Sequence, residues 1–128
     1  MQEEEEVELM AARGVVAVHN PVANCRLGSG IAPISSYLAT GLPMALGCDG
    51  PGSNDSQNMF EVMKMACVLS PLTTPEYRDW VTPRKVLELA TEGGAKVLGL
   101  SHKVGKLEEG FEADLVPLRA ATLPGATG

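Results

Sequence analysis

From Gly14 to Phe60 the chain carries only three charged residues, Arg26, Asp49 and Asp55. A stretch that poor in charge has the character of a protein interior and not of a solvated surface. Within it, Leu27 to Cys48 has no charge at all and is long enough to raise the question of a bilayer span. Gly28, Gly30, Pro33, Gly41, Pro43 and Gly47 punctuate that segment, with Ser29, Ser35, Ser36 and Thr40 among them. A single bilayer helix would not be interrupted so often, so the expectation is buried structure and no membrane. Two short apolar runs lie here. Val15-Val16-Ala17-Val18 is bounded by Gly14 and Asn20-Pro21, and Met44-Ala45-Leu46 ends at Gly47-Cys48-Asp49-Gly50. Continuous apolar runs without alternation fit strands buried on both faces, as in a parallel sheet.

The flanking segments have helical character. Glu3 to Arg13 predicts an amphipathic helix stopped by Gly14, and Pro33 to about Thr40 a short helix closed by Gly41. Pro51 to Asn54 reads as a turn. A helix follows over about Gln57 to Leu69, capped by Ser56 or Asp55, with Met59, Val62, Met63, Ala66 and Leu69 on its apolar face. Thr82-Pro83 is a good helix start for Arg84 to Thr91, and Gly93-Gly94 is expected to break that helix. Ala113-Asp114-Leu115-Val116 reads as a strand, followed from Pro117 to Gly128 by a tail without periodicity. Helix, strand, loop, helix, strand is the rhythm of α/β crossover units. The two strands would run parallel, with Asp49 just beyond the carboxyl end of the second, where α/β barrels carry their chemistry.

Composition narrows the function classes. A net charge of −6 over 128 residues argues against nucleic-acid and anionic-membrane partners. Residues 1–13 supply most of it, with five Glu against Arg13. Cys25, Cys48 and Cys67 are an odd number without a CxxC pair, and the N-terminus is the reverse of a signal peptide. Both point to a reducing, cytoplasmic setting. His19, Cys25, Cys48 and Asp49 lack the close ligand pairs of a structural zinc site, and neighbouring Cys48 and Asp49 should point to opposite faces.

Several runs, taken in order, resemble the C-terminal part of the metal-dependent amidohydrolases, in the branch that deaminates adenosine-type thioethers, guanine or 8-oxoguanine and hydrolyses triazines. They are His19-Asn20-Pro21 with Asn24, Leu27-Gly28-Ser29-Gly30-Ile31-Ala32-Pro33, Ala45-Leu46-Gly47-Cys48-Asp49-Gly50 and Ser53-Asn54-Asp55, then Leu89-Ala90-Thr91, Gly94-Ala95, Leu98-Gly99-Leu100, Gly105-Lys106-Leu107-Glu108, Gly110 and Ala113-Asp114-Leu115-Val116. The resemblance extends from about Glu3 to Val116.

It implies an α/β chain holding the last two strands and helices of a (β/α)8 TIM barrel, residues 1–111. Residues 112–128 would begin a return strand toward a small β-sandwich and end in an unstructured tail. It further implies that Asp49 ligates a divalent metal, zinc or iron, and takes a proton from the water on it. His19 and Asn24 are implied as substrate-binding residues at the barrel mouth; the alternative reading of His19 from the residues is a hydrogen-bonded side chain ordering the Asn20-Pro21 loop, which Asn24 would tie down through its amide. The implied substrate is a small heterocyclic amine and the reaction hydrolytic deamination; a homo-oligomer is compatible with the resemblance.

The remaining histidines of the family's site belong to strands this sequence does not contain, and the chain has only two histidines. The 128 residues are therefore expected to be a part of a larger hydrolase and to lack activity and bound metal alone. The alternative is a non-catalytic remnant that folds by oligomerising or by docking on a full-length relative.

Overall fold

The computed structural model describes residues 2–119. Among the described residues, seven α-helices and two strands follow one another as α1 (Gln2–Ala12), β1 (Ala17–His19), α2 (Pro21–Leu27), α3 (Ile34–Ala39), β2 (Met44–Leu46), α4 (Pro51–Asn54), α5 (Met59–Leu69), α6 (Pro83–Glu88) and α7 (Gly94–Val97). Short 3-10 segments occupy Ser70–Leu72 and Tyr77–Asp79. The two strands pair in parallel, with Ala17 opposite Met44, Val18 opposite Ala45 and His19 opposite Leu46.

β1 begins two residues later than the apolar run suggests. Val15 N still donates to Met10 O (3.0 Å), closing the exit of α1, and the chain reaches β2 only where Ala17 N donates to Pro43 O (2.9 Å). The expected burial on two faces holds for β2, whose residues are 3–7% exposed, but not for β1: Val15, Val16 and Val18 are 39, 43 and 50% exposed. Among the described residues, the outer face of β1 is uncovered.

The core forms where α3, β2, α5 and α6 converge, from Ile34, Met44, Leu46, Val62, Ala66, Val81, Val86 and Leu89. Each large aliphatic side chain buried there contributes roughly 1.5–3 kcal/mol relative to exposure. On α5, Val62 and Ala66 are buried, with Met59 and Met63 packed beside them, as the helical spacing predicts. Its cap is Asn58, whose side chain accepts from Phe60 N at 3.0 Å. Neither Ser56 nor Asp55 serves, because Ser56 Oγ donates to Glu61 (2.7 Å) and Asp55 ends α4 and pairs with Arg26. Thr82 does cap α6, accepting from Lys85 N at 3.2 Å.

Four further expectations are corrected. Pro21 does not open a loop; it is the first residue of α2, where its fixed φ and missing N–H suit a helix start. Pro51–Asn54 is one helical turn. Gly93-Gly94 does not break the last long helix, which passes through a π-turn at Leu89–Gly93 directly into α7. A Cβ on Gly93 would lie 2.4 Å from Met44 O, so glycine serves there for the close approach of helix to strand and not for termination. Ala113–Val116 forms no strand: it is exposed coil without a pairing partner among the described residues, Leu115 being 59% and Val116 81% exposed. The expected tail falls mostly on residues 120–128, outside the described residues. No helix among the described residues is long and apolar enough to cross a membrane.

Candidate active site at the strand ends

The parallel register brings the carboxyl ends of β1 and β2 side by side. Gly47 N donates to His19 O at 3.0 Å, extending the ladder one residue past β2. A Cβ on Gly47 would meet Asn20 Oδ1 at 2.4 Å and Val18 Cγ1 at 2.9 Å. Glycine thus lets the Asn20 side chain lie across the second strand's exit.

His19 shares the core face with its opposite residue Leu46 and is almost wholly buried. Burial lowers its pKa below the ordinary histidine value, since the interior disfavours the charged ring. Its Nδ1 has no hydrogen-bond partner among the described residues. A buried imidazole with an uncommitted nitrogen is costly unless a further group meets it.

Asp49 lies three residues beyond β2 and is exposed. It adopts the left-handed backbone conformation, φ +62°, which costs a non-glycine residue about 1–2 kcal/mol and which Asp tolerates better than most. Its Oδ1 accepts from Gly50 N at 2.8 Å. Cys48, by contrast, packs on the core, with Sγ 3.3 Å from Met59 Sδ. All three cysteines are free.

Asn24 sits half-buried on α2, so the expected loop for its amide to tie down is helix. Its backbone does the holding: N donates to Asn20 O and O accepts from Ser29 N, both at 2.9 Å. The ion pair of Arg26 with Asp55 links the last turn of α2 to the end of α4.

Asn54 was legible only as part of the Ser53-Asn54-Asp55 run, yet it is the most embedded polar residue near Asp49. It is buried, its Nδ2 donates to Cys48 O at 2.6 Å, and its Oδ1 is unpartnered among the described residues. The sequence shows only an asparagine in the segment that follows a strand-end aspartate; its burial appears only in the fold.

A tetrahedral zinc site takes three or four protein ligands. The described residues contain no group of three or more His, Cys, Asp or Glu able to hold a metal ion. Asp49 offers one oxygen donor, so the donor set within these residues is incomplete.

Comparison with known proteins places these features in context. The Amidohydrolase family profile matches residues 1–124. A 5-methylthioadenosine/S-adenosylhomocysteine deaminase of Desulforudis audaxviator is 44% identical over 114 residues, covering 88% of this chain and 26% of the relative. Among solved structures, a zinc-bound adenosine deaminase of Xanthomonas campestris superposes with a TM-score of 0.82 at 34% identity, covering 87% of this chain and 25% of the other. Zinc-complexed atrazine chlorohydrolase of Arthrobacter aurescens gives 0.81 at 34% identity, covering 86% of this chain and 24% of its own. The chain thus spans about a quarter of the length of the relatives it matches.

Proposed function

The chain belongs to the amidohydrolase family, and from that premise we propose that it forms the last two βα units of a (β/α)8 barrel that hydrolytically deaminates a purine-like or related heterocyclic amine. Residues 1–111 are the barrel part, and the described residues that follow, 112–119, lead toward a second, sandwich-like element. The observation that carries this reading is Asp49: an exposed carboxylate at the carboxyl end of a buried parallel strand, held in a left-handed turn, within a chain whose similar structures include zinc-bound hydrolases.

A divalent metal bound across the whole barrel mouth would supply a water acidified toward neutral pH. Asp49 would be one ligand in that set and the local proton acceptor. The Gly50 N–H bond to Oδ1 fixes the carboxylate's orientation, and its two oxygens would divide the ligand and proton-acceptor roles. Returning the proton to the leaving amine completes a hydrolytic C–N cleavage. His19, neutral because it is buried, and Asn24 would offer polar contacts on the substrate side. The uncovered outer face of β1 supports a surrounding barrel, and equally the second reading, a non-catalytic remnant docked on a full-length relative or on its own copy.

The test is a hybrid of the Desulforudis audaxviator deaminase carrying residues of this chain in place of its own matching 114, assayed for ammonia release from 5-methylthioadenosine. The hybrid should be active, and Asp49→Asn should lower kcat by at least about 100-fold. An active hybrid indifferent to Asp49→Asn would sink the assignment of Asp49. The 128-residue chain assayed alone should release no ammonia.

A further inference from the structure

Beyond Gly47 the chain has left the sheet, and the carbonyls of residues 48–50 have no ladder partner. Each is taken up by a side chain from the following segment. Cys48 O accepts from Asn54 Nδ2 (2.6 Å), Asp49 O from Gln57 Nε2 (3.0 Å) and Gly50 O from Ser53 Oγ (3.0 Å). Asp49 stands in the middle of this set with a positive φ, a conformation that persists in a non-glycine residue only when its surroundings over-determine it. Two of the bonds flank Asp49 directly, on the carbonyl before it and on its own. Asn54 is buried and its backbone N also donates to Gly50 O (3.1 Å), so its amide has a rigid base. Gln57 is exposed and reaches back from just ahead of α5.

We infer that Asn54 and Gln57 are positioning residues that hold Asp49 in its left-handed turn and so aim its carboxylate out of the strand end. Neither touches the reacting atoms; they act through the two carbonyls. The catalytic consequence rests on the reading of Asp49 given above, whereas the conformational statement does not.

The conformational test uses the full chain, labelled with 13C and 15N, with the Asp49 backbone angle read from its chemical shifts and couplings. The wild-type residue should report a positive φ, and Gln57→Ala and Asn54→Ala should move it toward extended values, Asn54→Ala further. Because Gln57 is exposed, its variant tests the idea even if Asn54→Ala disrupts the fold. Left-handed shifts retained in both variants would overturn the inference. A second readout separates positioning from general support. Glycine adopts a positive φ freely, so the drop in thermal midpoint caused by Gln57→Ala should shrink by about half in an Asp49→Gly background. An equal drop in both backgrounds overturns the inference as well.

In the hybrid enzyme, Asn54→Ala should lower kcat at least about tenfold with KM within about twofold, and an unchanged kcat would remove its catalytic consequence. Should Asp49→Asn leave the hybrid active while the shifts move as expected, the functional reading fails and the positioning stands.

Discussion

The exits of β1 and β2 lie side by side in register, yet they deliver opposite chemistry. β1 ends in a buried imidazole that burial keeps neutral, and the chain turns at once into α2 with Pro21 as first residue. β2 runs out into four residues outside any helix, with an exposed carboxylate in a left-handed turn. The burial of the strands themselves runs the other way. β2 is enclosed, with the π-turn at Leu89–Gly93 and α7 pressed against it, while the outer face of β1 is open among the described residues. Two neighbouring parallel strands thus end in a buried imidazole on the core face and a solvent-exposed carboxylate.

That contrast can be broken most severely at Gly93. Alanine is the better helix former by about 1 kcal/mol, but its methyl carbon would fall 2.4 Å from Met44 O, a backbone atom that cannot swing away. Gly93→Ala should destabilise the chain by about 1–3 kcal/mol, measured by chemical denaturation, with β2 losing amide protection before β1. Unchanged stability would mean that the helix does not rest on β2.

The β1 exit is sharpened by pH. Burial depresses the folded-state pKa of His19 below 6.5, so the unfolded chain binds more protons between the depressed value and the unfolded one. Stability is then fully present above the unfolded pKa and is lost as pH falls through that window. His19→Gln should flatten this part of the stability–pH curve, and an identical slope in the variant would contradict a buried neutral ring.

The smallest effect belongs to the bridge between the two exits. Arg26 and Asp55 pair across α2 and α4 with side chains 43% and 72% exposed. Solvent screens such a pair, and a double-mutant cycle with Arg26→Ala and Asp55→Ala should return under about 1 kcal/mol of coupling, falling with added salt. A larger, salt-insensitive coupling would make this link a structural tie between the strand exits.

Much of this organisation is local and therefore readable along the chain. Met44-Ala45-Leu46, bracketed by Pro43 and Gly47, is a strand because only a strand suits a short apolar run between breakers. Thr82-Pro83 starts α6 because a hydroxyl and a fixed φ satisfy a helix end without distant help. Gly93-Gly94 misleads because a glycine placed for close approach is indistinguishable in sequence from a stop. Ala113–Val116 misleads because strand-like residues become a strand only when another chain segment supplies the hydrogen bonds.

The family, the parallel strand pair and Asp49 as the residue to watch were determined by the sequence, since short-range patterns and an ordered set of motifs carry them. Tertiary structure alone decided that His19 is buried beside Leu46, that Asn20 lies over Gly47, and that Asn54 and Gln57 grip the carbonyls around Asp49. Those facts depend on which backbone atoms lack a partner once the sheet ends, and a chain has no unpaired strand exit until it has folded.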